Sequence, residues 1–183
     1  MRKAGKIGSV ALALAVALGL ASGPALATGG KYWSWWDPEA LVGAWRVTIS
    51  PYRCDDEEKN PLPGASFSSF LTFAKGGTML ETNFNKSFQP GQRSVGHGYW
   101  VRTGKRTYHS VFEAFVYFPT DPPVPAPRPN YKPGSQRLEQ NIKMLDADSW
   151  ESDADIYFYD EKGILDERPG SPGCATAKAE RMW

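Results

Sequence analysis

His97 and His109 are the chain's two histidines, and both sit in runs that alternate like strands. Their relative placement depends on the turn between those runs. A three-residue loop at 103–105 would pair Arg102 with Arg106, oppose His97 to Val111 and aim both imidazoles the same way. A two-residue loop would send them to opposite faces. On the first register, His97, Tyr99, His109 and Glu113 line one surface. Such a set could act in acid/base chemistry or hold a metal weakly; plain hydrogen-bonded strand polars are the simpler reading. Gly96 and Gly98 flank His97 and leave room beside it, which suits a pocket and equally suits packing against Trp100.

Other constellations carry less. Asp55-Asp56-Glu57-Glu58 reads as a solvated charge run, and Glu151, Asp153 and Asp155 alternate with Trp150, Ala154 and Ile156 as an outward polar face does. Asp146-Ala147-Asp148 lacks the ligands of a calcium loop. No nucleophile elbow, phosphate-cradling glycine loop or dinucleotide fingerprint occurs. No metal and no cofactor is expected. The aromatics are the stronger lead: Tyr99, Trp100, Tyr108, Phe112, Phe115, Tyr117 and Phe118 crowd two neighbouring runs.

The elements that must position these residues follow from composition and punctuation. With 183 residues, 18 Gly, 15 Pro and 13% aromatics, the chain favours one domain of strands and turns over long helices. A balance of 21 basic to 20 acidic residues argues against a nucleic-acid binder. Arg2, Lys3 and Lys6 precede the 14-residue apolar run Ile7–Leu20, and Ala25-Leu26-Ala27 follows, as in a secretory signal occupying residues 1–27. Fourteen helical residues fall short of a ~30 Å bilayer core, so no membrane span is expected. Cleavage after Ala27 would leave 156 residues with 18 basic and 20 acidic groups. The expected destination is the periplasm or the medium, where Cys54 and Cys174 would pair as a structural disulfide.

Residues 28–40 form an aromatic-rich segment. Trp33, Trp35 and Trp36 in it could plug a mouth, stack on a sugar or contact the cell envelope. A helical turn at Asp37-Pro38-Glu39 ends the segment. From residue 41 to 183 the chain reads as about eight strands, Ala44–Ser50, Phe67–Phe73, Thr78–Phe84, Val95–Arg102, Arg106–Phe118, Arg137–Leu145, Trp150–Tyr159 and Cys174–Met182, with tight turns between most of them. The Asp121–Pro133 stretch, with six prolines, reads as a stiff extended loop. If the first and last strands pair antiparallel, one register brings Trp45 near Arg181 and Cys54 near Cys174. The expected fold is therefore an all-β, antiparallel up-and-down barrel without exposed edges.

Gly43-Ala44-Trp45 after a helical turn, with Arg181 on the final strand, resembles the lipocalin (calycin) pattern. The stretches LTFAKGG, SVGHGYWVRTGKRTYH and GCATAKAERM resemble secreted lipocalin-like barrels of bacteria whose role is uncharacterised. The resemblance implies an eight-stranded barrel closed at one end by Gly43, Trp45 and Arg181, able to hold one small apolar molecule. His97, Tyr99, His109, Phe112, Glu113 and Phe115 are the expected ligand-binding residues, and the partner is a small hydrophobic or aromatic ligand. Ala175, Ala177 and Ala179 share a face and would leave room if that face is inward. Two rivals remain: an isomerase or cyclase using His97 or His109 as acid or base, and an envelope interaction module. More a binder than an enzyme is expected.

Overall fold

A computed structural model of the protein describes residues 37–119, 131–166 and 173–183. The proposed leader at 1–27, Trp33, Trp35 and Trp36, and most of the proline-rich stretch lie outside the described residues. Period-two alternation, cut by Gly, Asp and Lys turns, makes eight strands. They are β1 (Gly43–Tyr52), β2 (Phe67–Phe73), β3 (Thr78–Asn83), β4 (Gly96–Arg102), β5 (Thr107–Pro119), β6 (Tyr131–Met144), β7 (Ser149–Asp160) and β8 (Gly173–Arg181). Each pairs antiparallel with the next, and β1 also pairs with β8, so the sheet closes into a barrel. The described residues contain no α-helix; Asp37–Leu41 makes one turn, in which the Glu39 N–H donates to Asp37 Oδ1 at 2.8 Å.

Closure follows the register expected from the sequence. Trp45 opposes Arg181 and Tyr52 opposes Cys174, which places Cys54 just past the ladder. The Cys54–Cys174 disulfide then bridges diagonally, with Cα atoms 5.2 Å apart. Because it encloses a sequence separation of 120 residues, the loop-entropy model assigns it about 4–5 kcal/mol.

The opposite end is sealed by large side chains. Trp45, Trp150, Phe73, Tyr108, Leu41 and Met79 are almost wholly buried there. Trp45 packs edge-on to Trp150 with centroids 6.0 Å apart, and Trp150 in turn packs edge-on to Phe73 at 6.4 Å. The Arg181 guanidinium lies 4.2 Å from the Trp45 ring centroid. It donates to the carbonyls of Ala40, Val42 and Ala147 at 2.7–3.0 Å. Gly43 has φ 138°, and a Cβ there would lie 2.7 Å from Arg181 Nη1. Only glycine lets the chain enter the barrel under that cation.

β6 begins six residues earlier than its apolar pattern suggests. Pro133 sits in its first turns of pairing, opposite Tyr117. The Tyr117 N–H and C=O both turn to Gln92, so β5 asks no N–H of Pro133. The last β6–β7 pair is Gly134 with Asp160, so β7 asks none either. The missing donor costs the ladder nothing at that position.

Candidate functional site in the barrel interior

The turn between β4 and β5 decides which way the histidines face. The Thr103 N–H donates to the Thr107 carbonyl at 2.9 Å, leaving Gly104-Lys105-Arg106 as a three-residue loop. Arg102 therefore opposes Tyr108, His97 opposes Glu113, and Val101 opposes His109. His97, Tyr99, His109 and Glu113 do share one face. That face is the outer wall.

The reason lies in the opposite phase. Trp100, Tyr108 and Phe112 take the interior positions of the two strands, with Trp100 edge-on to Tyr108 at 5.7 Å. The inward positions of β4 nearer the mouth are Gly96 and Gly98. A Cβ on Gly98 would fall 2.6 Å from the Phe112 Cα, and one on Gly96 would fall 2.8 Å from its ring. The space beside the glycines is thus filled by Phe112, on the far side of the sheet from His97. Of the six ligand-binding residues expected from the sequence, Phe112 alone points inward. Phe115 stands 72% exposed, and Tyr99 50%. His109 Nδ1 lies 3.1 Å from Asn141 Oδ1 on the outer surface. On that outer wall His97, Glu113 and Phe115 border an open recess of about 630 Å³, which brings three of the expected residues together outside the barrel interior.

The interior towards the disulfide end carries polar groups that the sequence reading passed over. Glu81 and Arg93 form a buried ion pair, Nη1 to Oε2 at 2.8 Å, with side chains 1% and 5% exposed. Arg93 Nε donates to Gln136 Oε1 at 2.7 Å, and the Ser69 hydroxyl lies 3.2 Å from Glu81 Oε1. Arg93 reaches inward through a bulge. Beyond Gly96 the chain has one residue more than β5, and Arg93 bridges Val116, an inward position. The Ser94 N–H to Phe115 carbonyl bond and the Phe115 N–H to Ser94 Oγ bond, both 2.9 Å, hold the slip.

Beside Arg93, the rim segment 84–95 borders a half-open recess of about 360 Å³, lined by Phe84, Phe88, Lys86, Val95 and Arg93. Deeper, between β1 and β5–β8, lies a chamber of about 20 Å³. Val47, Ile49, Phe112 and Leu138 form its apolar walls, and Ala175 and Ala177 give it room, as their shared inward face implied. Gln140 also borders it. The Gln140 Oε1 accepts from the Ser152 hydroxyl at 3.2 Å, while Gln140 Nε2 and, opposite it on β5, Ser110 Oγ have no hydrogen-bond partner among the described residues.

Period-two counting could have found two of these groups. Glu81 falls in phase with Met79, and Gln140 in phase with Leu138 and Ile142, so each is a polar residue in an apolar row. Arg93 could not be found that way, because its orientation comes from the bulge.

No family model matches the chain, and no curated protein matches it. Among solved structures, that of EF1p2_mFAP2b bound to DFHBI is similar in fold. The TM-score is 0.50 at 14% identity, over 81% of this chain and 98% of the other. At that identity the likeness concerns the barrel architecture alone.

Proposed function

We propose that the protein is an exported, lipocalin-like barrel that binds a small hydrophobic or aromatic molecule in its interior. The observation that carries this is the chamber beside Ala175 and Ala177, where an otherwise close-packed interior turns to small and polar side chains. Eight-stranded barrels are wide enough either to fill with side chains or to hold one small ligand. The structurally similar barrel described above has DFHBI bound, which supports the second use of this architecture. The disulfide and the sequence of residues 1–27 support export.

At about 20 Å³ the chamber admits one water-sized occupant, whereas a cavity that takes benzene is about 150 Å³. Binding therefore requires the interior to open. The Glu81–Arg93–Gln136 cluster lies mouthward of Phe112 and is held partly by the rim segment, so withdrawal of Arg93 would clear the way. Burial of apolar ligand surface, at about 25 cal/mol per Å², drives the step.

Titration of the chain with a solvatochromic naphthalene dye tests the proposal. Saturable, blue-shifted emission is expected, lost in Ala177→Phe and in Ala154→Leu, and kept in Tyr99→Ser and Phe115→Ser on the outer wall. Emission that survives both filling variants, each folded by circular dichroism, and falls with the outer-wall variants overturns it. Intact mass of exported protein lacking residues 1–27 is the expected result for localisation.

A further inference from the structure

We infer that the Gln140 amide, with Ser110 beside it, anchors a neutral hydrogen-bond acceptor on the ligand, so that the guest class is a small apolar carbonyl compound rather than a hydrocarbon or an acid. This rests on the interior-binding reading above and names the chemistry of that site.

Gln140 and Ser110 are directly paired across β6 and β5 on the inner face, and both are buried. Directly opposed side chains on one face start about 5 Å apart at Cβ, within reach of a single small group. The Ser152 hydroxyl occupies Gln140 Oε1 and so turns the amide's NH₂ away from itself. Among the described residues that NH₂ has no acceptor, nor does the Ser110 hydroxyl, and Gln140 borders the chamber. A buried donor left without an acceptor is costly. In the closed chamber one water can meet these donors; a carbonyl oxygen that displaces it keeps a hydrogen bond to the amide, and a methyl group does not.

Charge decides between a neutral acceptor and an anion. The buried cation, Arg93, is paired with Glu81 and bonded to Gln136; its Nη2 is buried without a partner among the described residues, but Arg93 borders the rim recess and not the chamber. A carboxylate held at Gln140 would therefore have no cation in contact and would lose its own hydration. A ketone, aldehyde, ester or amide loses far less.

Four probes of one size separate the possibilities: acetophenone, ethylbenzene, benzoate and 1-phenylethanol, titrated by ligand-observed NMR against the protein and Gln140→Leu. Acetophenone is expected to bind about tenfold more tightly than ethylbenzene. Gln140→Leu should bring acetophenone down to ethylbenzene's affinity while leaving ethylbenzene unchanged or tighter. Should that variant not fold, Gln140→Met and Ser110→Ala give the same comparison. Equal affinities for ketone and hydrocarbon, insensitive to Gln140, overturn the anchor and leave interior binding standing. Preference for benzoate overturns it in favour of Arg93, and preference for 1-phenylethanol over acetophenone overturns it in favour of a donor-bearing guest. If none of the four binds and the naphthalene dye also fails, interior binding falls and the anchor with it.

Discussion

The two ends of the barrel interior are built on different principles. At the end closed by Arg181, large rings meet edge-on and the guanidinium is held mainly by three backbone carbonyls and a Trp face, with the Asp148 carboxylate 3.2 Å from Nε. Towards the disulfide, inward positions include Ala175, Ala177, Ser69, Ser110, Gln136 and Gln140, and Arg93 is held mainly by the Glu81 and Gln136 side chains, with one bond to the Ser94 carbonyl. Backbone carbonyls cannot move without breaking strands or turns. Side-chain partners can swing. The first end is thus suited to stability, and the second to admitting a guest.

The largest test of this contrast is the covalent clamp. Replacing both cysteines by serine should lower unfolding free energy by about 4 kcal/mol in denaturant titration. If the two ends differ as described, amide exchange should rise first in β1 and β8 near Ser50 and Thr176, with protection near Trp45 persisting. Uniform loss would break the comparison. Trp45→Ala should cost about 3–5 kcal/mol through the cavity it leaves among Trp150, Phe73 and Arg181. It should cost that whether or not dye is present.

Arg93→Ala leaves Glu81 buried and unpaired, and should cost about 3 kcal/mol. The double variant Glu81→Leu with Arg93→Leu should recover most of that loss, because removing both charges removes both desolvation penalties. The double variant should also bind dye faster in stopped flow, with the cation no longer anchored in the entrance. A double variant as unstable as the single one would show that the pair is a structural keystone instead of a removable plug.

The smallest effect concerns the β6–β7 turn that carries Ala147 under Arg181. Hydrogen bonds from the Ser149 hydroxyl and the Asp148 N–H hold the Asp146 carboxyl below the ordinary aspartate range. A lowered folded value stabilises the fold above the unfolded value of about 3.9, and that contribution fades as pH falls through the folded one. The group is exposed, so the stability of the protein should exceed that of Asp146→Ala by only a few tenths of a kcal/mol at pH 7. The difference should vanish in strong acid.

How much of this was readable from the chain alone divides along the same line. Closure was readable because Trp45, Arg181, Cys54 and Cys174 constrain one another through a single register. The outer placement of His97 and Tyr99 was not, because β4 and β5 offer large or apolar side chains in both phases. With Phe112 and Phe115 on opposite faces of one strand, alternation gives no direction. Glycine settled it: the bare faces of Gly96 and Gly98 admit the Phe112 ring, and only neighbours in space reveal that. The early start of β6 was hidden by Pro133, whose sequence signal is that of a loop.

The Cys54–Cys174 bond has a consequence for how the chain meets proteases. Six of the eight strands, β2 to β7, lie between the two sulfurs along the chain. A single cut anywhere in that span leaves both fragments tied to one another, and the ladder of β1 on β8 still aligns them. A nicked molecule would therefore run as one band until a reductant is added, and could stay closed through damage that would divide an unbridged barrel.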